Sequence, residues 1–181
     1  MHPNQDKLPK VIELKNVSFR YEENQPYVLE NFNLAINPGE HLAVVGLNGA
    51  GKTTLVKLIC GLIDPTEGQV LYDGKSIAEY DRVELYRMYS AVFQQFSIMP
   101  VTVEEIVAEA PAAQVDSERV KKCLELPGMW ERIQKLPNKL QSQFGRTIYE
   151  DGVEFSGGET QKLLLARAMY KSSPIMLLDE P

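Results

Sequence analysis

Three short stretches of this 181-residue sequence carry residue types suited to phosphate chemistry. "GLNGAGKTT", Gly46 to Thr54, fits the pattern GxxxxGK[ST]. Glycines let a backbone wrap closely round an anion, so the N–H groups from Asn48 through Gly49, Ala50 and Gly51 to Lys52 would cradle phosphates. Lys52 would neutralise β- and γ-oxygens, and the Thr53 hydroxyl would ligate Mg²⁺. Such a metal also needs a carboxylate, and hydrolysis needs a group that polarises water near the γ-phosphate. Asp179 and Glu180 close the apolar run Ile175 to Leu178; the first is assigned to the metal and the second to the water. The third stretch, "EFSGGETQ" from Glu154 to Gln161, joins a serine and two glycines to a helix-like run. It reads as a second anion cradle at a helix N-terminus, or as a plain N-cap by Ser156 with Glu159 in the capping-box position.

The surrounding pattern supplies elements that would hold these groups. "VIELKNVSFRY" alternates Val11, Glu13 and Lys15 with Ile12 and Leu14, as a half-buried strand does. "YVLENFNLAI", "HLAVVG" and "GQVLYDG" read as further strands, with the turn "NPGE" between the first two. Between the last two lies a helix, "GKTTLVKLICGL", with Leu55, Leu58, Ile59 and Leu62 spaced for one face. From about Ser97 to Tyr149 the pattern turns helical; Thr102 caps "TVEEIVAE", and Asp116 or Ser117 caps "DSERVKKCLEL". "SPIMLLDEP" reads as a buried parallel strand ending in acids.

At 44% hydrophobic and 24% charged, the chain has the means to bury a sizeable core. A net charge of −6 gives no overall basic field, so nucleic acid is not an expected partner. Cys60 and Cys123 lie far apart in apolar runs and read as small packed hydrophobes, suited to a reducing cytosol. No apolar stretch reaches the roughly 20 residues of a membrane span, and "MHPNQDKLPK" reads as a polar tail over residues 1–10.

Taken in order, these motifs resemble the nucleotide-binding domain of ABC (ATP-binding cassette) transporters, over nearly the whole span from Val11 to Pro181. The resemblance matches Walker A to Gly46 through Thr53, the glutamine after a strand to Gln94 in "AVFQQF", the signature to Ser156, Gly157, Gly158 and Glu159, and Walker B to Ile175 through Asp179, followed by Glu180. It implies an α/β fold of the phosphate-loop NTPase type, with a parallel core sheet, an N-terminal antiparallel β subdomain and a helical subdomain at about 97–155, all within one domain spanning 11–181. It implies ATP and Mg²⁺ as cofactors, with Thr53, Gln94 and Asp179 at the metal, Glu180 and Gln94 at the attacking water, and Tyr21 stacked on adenine beside a loop that runs on to Thr54. It also implies head-to-tail pairing with a second such domain, whose ATP the signature would cap, and a transmembrane domain or permease subunit that keeps the pair at the cytoplasmic face of a membrane. "YEDGVEFSGG" is similar to the segment ahead of the signature in exporter-type members.

The sequence departs from the family pattern in two ways. The commonest signature reads LSGGQ; here Phe155 and Glu159 stand at its ends, and Glu159 adds a negative charge near a phosphate. The family's D-loop, later strand and switch histidine have no counterpart, since His2 and His41 both precede the phosphate loop. The expectation is a C-terminally truncated domain that alone hydrolyses ATP negligibly. A soluble ABC ATPase acting as a nucleotide-dependent clamp is the alternative function, and a small-molecule kinase on the same loop is a third that leaves "FSGGE" unexplained.

Overall fold

The computed structural model of the chain describes residues 11–94 and 97–179, and these fall into two compact units that divide after Tyr89. In the first unit, β1 (Ile12–Phe19), β2 (Leu29–Ile36), β3 (Glu67–Tyr72) and the short β4 (Lys75–Ser76) form a sheet in the order β2-β1-β3-β4, antiparallel throughout. Ile12 and Leu14 are buried, as their alternation predicts, but the alternation then breaks, because Val17 and Phe19 are buried as well. The cause is a bulge at Asn16. Its φ of 51° lies in the left-handed region, the pairing registers of β1 with β2 and with β3 both shift there, and the Asn33 side-chain oxygen accepts the freed Asn16 N–H at 2.9 Å. One extra residue thus resets the period and keeps four apolar side chains on the core side.

Helix α1 (Lys52–Ile59) buries Leu55, Leu58 and Ile59, as its spacing predicts. Leu62 does not join them. The helix has already closed, with the Leu62 N–H bonded back to the Lys57 carbonyl at 2.9 Å, so the expected i+7 position falls outside it and is exposed. The strand expected over "HLAVVG" is also not formed: residues 41–47 carry no ladder pairing among the described residues, and Val45 is 90% exposed. A β-rich run becomes a strand only where neighbours accept and donate its backbone hydrogen bonds, and the antiparallel sheet of this unit is complete without it. A short helix α2 (Arg82–Arg87), capped by the Asp81 carboxylate at the N–H groups of Val83 and Glu84, follows β4.

In the second unit, β5 (Tyr89–Val92) and β6 (Ile175–Leu178) pair, and between them lie α3 (Val103–Ala108), α4 (Ser117–Glu125), α5 (Trp130–Gln134) and α6 (Gly157–Lys171). Val103 and Val107 of α3, Val120 and Leu124 of α4, Ile133 of α5, and Leu163 and Ala166 of α6 share one core. A smaller cluster of Val92, Leu164 and Ala168 ties β5 to α6. Thr102 caps α3 with a full capping box, and of the two candidates for α4 it is Asp116 that caps, accepting the Arg119 N–H at 3.0 Å. The expected burial of β6 is only half met. Ile175 and Leu177 are half-buried while Met176 and Leu178 are exposed, because β5 is its one ladder neighbour among the described residues.

The β1 bulge generates a stability prediction. Gly68 faces it at φ +81°, and a Cβ there would sit 2.3 Å from the Asn16 carbonyl oxygen. Gly68→Ala is expected to cost about 2–4 kcal/mol, combining left-handed strain with backbone overlap, whereas Gly74→Ala, with a similar φ but open space, costs only about 1–2 kcal/mol. Denaturant midpoints of the two variants give the comparison, and equal losses would show that the bulge does not fix Gly68.

Candidate functional site

The phosphate loop leads directly into α1, and its local geometry follows from its glycines. Gly51 is the N-cap residue of α1 at φ 87°, a left-handed conformation, and a Cβ there would press on Val28 Cγ1 at 3.2 Å and the Val28 carbonyl at 3.3 Å. Only glycine makes this turn without strain. Gly51 has no side chain to offer as a cap, so α1 starts without a side-chain cap bond. Residues 46–50 are exposed, with the Ala50 N–H turned onto the Leu47 carbonyl at 3.1 Å. Lys52 Nζ folds back over the loop, donating to the carbonyls of Gly46 at 2.9 Å and Leu47 at 3.1 Å. Those neutral acceptors hold the ammonium against the loop backbone, and an anion bound by the loop would exchange carbonyl partners for a charge-assisted one.

Tyr21 and Thr54, chosen separately from the sequence, are brought together here. The Tyr21 hydroxyl lies 3.0 Å from Thr54 Oγ1, and its ring meets Phe19 edge-on at 4.9 Å while remaining 55% exposed. A partly open aromatic surface therefore stands beside the first turn of α1.

Gln94 and Asp179 leave neighbouring strand ends. The Asp179 N–H donates to the Val92 carbonyl at 2.9 Å, which sets the C-terminal ends of β5 and β6 side by side, and Gln94 follows Phe93 as an exposed residue. Asp179 is only 4% exposed, and its Oδ2 finds no hydrogen-bond partner among the described residues. A buried carboxylate oxygen left without a donor is costly and suits a cation. The oxygens at this strand end, the Asp179 carboxylate and the Gln94 amide oxygen, are hard donors of the kind Mg²⁺ takes. Glu180, assigned to the attacking water, lies outside the described residues.

The serine–glycine stretch forms the start of α6. Ser156 is the N-cap and both halves of the capping box are present: its Oγ accepts the Glu159 N–H at 3.3 Å, and Glu159 Oε2 accepts the Ser156 N–H at 2.9 Å. Accepting that bond leaves the Ser156 hydroxyl proton available, so capping and anion binding do not exclude each other. Gly157 and Gly158 are exposed, with no heavy atom within 4 Å of the place a Cβ would occupy. The side-chain positions at the positive end of a 15-residue helix are therefore open.

One residue of this arrangement escapes sequence reasoning. Arg132 of α5 donates through Nε to Glu159 Oε1 at 3.0 Å across 27 residues, and its guanidinium lies over the Phe155 ring at 6.0 Å. No local pattern marks it, since the pairing exists only once α5 packs against the start of α6. The Ser156 N–H and Arg132 together hold the Glu159 carboxyl below its ordinary value.

A glycine-turned loop opening a helix is the local geometry of the phosphate-loop NTPase fold. The ABC transporter family profile matches residues 29–181, and the chain belongs to that family. The fold is the ABC ATPase one, with its antiparallel β subdomain and its helices. The chain is 37% identical over 172 residues to an ATP-dependent lipid A-core flippase of Paraburkholderia xenovorans, an alignment covering 93% of this chain and 28% of the relative. It is 33% identical over 175 residues to a protein of Escherichia coli named "Probable microcin-H47 secretion/processing ATP-binding protein", covering 97% of this chain and 24% of that one. Among solved structures, a bacterial Atm1-family ABC exporter with ATP bound matches with a TM-score of 0.83 at 28% identity, over 95% of this chain and 29% of that one. The chain thus spans less than a third of the length of these relatives. The exporter-type resemblance read from the motifs is confirmed. Among the described residues no helix is long and apolar enough to cross a membrane.

The lowered Glu159 pKa gives a pH prediction. Because the folded value lies below the ordinary 4.5, the stability that this charge contributes is complete above the unfolded pKa and is lost as pH falls through the folded one. Relative to Glu159→Gln, the wild type should be more stable above the unfolded carboxyl's pKa, by no more than about 1 kcal/mol for so exposed a pair, with the gap closing as pH falls through the lower folded value. A gap that persists unchanged at low pH, in denaturant midpoints, would contradict the charge assignment.

Proposed function

We propose that this chain is the ATP-binding and ATP-hydrolysing domain of an exporter-type transporter, working as half of a head-to-tail pair. The observation that carries the reading is the presence, in one chain, of two glycine-bearing helix starts: α1 behind the left-handed turn at Gly51, and α6 with exposed Gly157 and Gly158 behind Ser156. A chain that served one nucleotide by itself would need only the first. In the proposed pair, Gly46 through Thr54 hold the triphosphate, Tyr21 gives its exposed ring to the adenine, and Ser156, Gly157 and Gly158 of the other copy close over the γ-phosphate.

Thr53, Gln94 and Asp179, matched to the family's metal positions by the resemblance, would hold Mg²⁺, which when bound would supply positive charge for phosphoryl transfer. Lys52 would move from its loop carbonyls to the β- and γ-oxygens. Glu180 would orient and polarise the water, and Gln94 would hold that water in line. Closure of the pair excludes bulk water and opening after hydrolysis releases it, so a transmembrane partner attached to both copies would be driven between two states. The functions named for the relatives, lipid A-core flipping and microcin secretion, support transport as the work done; a membrane partner would place the domain on the cytoplasmic face.

Two predictions follow from this assignment. In the full-length protein, Lys52→Ala should weaken MgATP binding tenfold or more in calorimetric titration, through loss of a charge-assisted contact; equal affinities would remove the loop from the account. The stronger test mixes two variants. Lys52→Ala spoils a copy's own loop and Ser156→Arg spoils the cap it offers, so each homodimer has two damaged sites. A mixed dimer rebuilds one intact site, and ATPase activity at constant total protein should peak near equal amounts. Activity of Ser156→Arg alone, or none at any ratio with dimerisation confirmed, would overturn the reading.

A further inference from the structure

The start of α6 poses an electrostatic problem. Its open N–H groups and helix dipole favour an anion, yet the segment brings its own carboxylate, Glu159, on the first turn. An uncompensated carboxylate there would repel a triphosphate and compete for the same donors. Both of its oxygens are engaged within the chain: Oε2 accepts the Ser156 N–H at 2.9 Å and Oε1 accepts Arg132 Nε at 3.0 Å. What Glu159 leaves to an incoming anion is the Ser156 hydroxyl and the start of α6 at Gly157 and Gly158, both exposed and with no heavy atom within 4 Å of where a Cβ would stand.

Arg132 is well placed to hold this state. Ile133, its neighbour on α5, is fully buried in the core of the unit. Its guanidinium lies over Phe155, which in turn stacks on Phe144 with ring planes 18° apart. The aromatic pair restricts the guanidinium to one side of α6, where its Nε meets the carboxylate.

We infer that Arg132 is a positioning residue of the nucleotide cap, whose guanidinium neutralises Glu159 and ties it back so that the start of α6 accepts the triphosphate bound to a second copy. The inference rests on the composite-site reading above. It makes a specific statement about coupling: Arg132 matters because Glu159 is charged, so the two residues act as one unit.

The test is a double-mutant cycle in the full-length protein, read as KM for ATP and kcat in steady-state hydrolysis. Arg132→Gln should raise KM for ATP at least fivefold, and Arg132→Lys by less than twofold to threefold, since a lysine keeps the charge. In a Glu159→Gln background the same Arg132→Gln change should move KM less than twofold. A full loss in that background would overturn the inference, because it would mean that Arg132 acts by packing on Phe155 or by touching phosphate itself. No change on Arg132→Gln in the wild-type background would overturn it as well. Should Arg132→Gln fold poorly, Arg132→Met, which keeps the aliphatic stem and removes the charge, replaces it in both backgrounds with the same outcomes expected. Ser156→Arg, run in parallel, separates the two claims: if it leaves KM and kcat untouched, the composite site fails and this inference with it; if it abolishes activity while Arg132 and Glu159 show no coupling, only the inference fails.

Discussion

The first turn of a helix leaves backbone N–H groups without partners, and how each helix start meets that demand organises this protein. Asp81, Thr102, Asp116 and Ser156 provide side-chain acceptors at α2, α3, α4 and α6. Helix α1, preceded by a left-handed glycine, and α5, preceded by Met129, have no side-chain cap. At α1 the sequence places a lysine, two threonines and a glycine turn around the helix start. The sheet β2-β1-β3-β4 and the buried face of α1, Leu55, Leu58 and Ile59, provide the rigid footing for that turn.

Helix α6 solves the same problem differently. Its serine accepts one N–H and keeps a proton to donate, so the cap is complete for the free chain and still leaves donors facing out. The Glu159 carboxylate would be a fault in such a site taken alone. With Arg132 beside it, that carboxylate becomes part of an internal ion pair that stiffens the junction between α5 and α6. A change of residue type within a motif therefore has to be read with its three-dimensional neighbours before it is counted as damage.

Much of this was legible in the sequence because it depends on local chemistry. Capping boxes at Thr102 and Ser156, the Asp116 cap and the glycine turn at the phosphate loop are set by residues within a few positions of one another. The strands of the antiparallel sheet were legible from alternation, but the bulge at Asn16 was not, since it takes Asn33 and Gly68 from two other strands to hold it. "HLAVVG" shows the limit of composition: its residues favour a strand, and favour alone does not supply ladder partners. Leu62 was misplaced by a periodicity that ran past the end of its helix. Arg132 was invisible because its partner is 27 residues away and no periodic rule links them.

The central claim is that the glycine loop of one copy and the start of α6 in another share a single nucleotide. A distance across the pair tests it most directly. In the full-length protein with Cys123→Ser, one batch would carry Asn48→Cys and a second batch Glu154→Cys, both at exposed positions beside their respective sites. Mixed with ATP under conditions that block hydrolysis, the two should form an interchain cross-link through a short bifunctional reagent, and should not form it without nucleotide. A cross-link yield independent of ATP, or none while ATP-dependent dimers are present by sedimentation, would contradict the shared site.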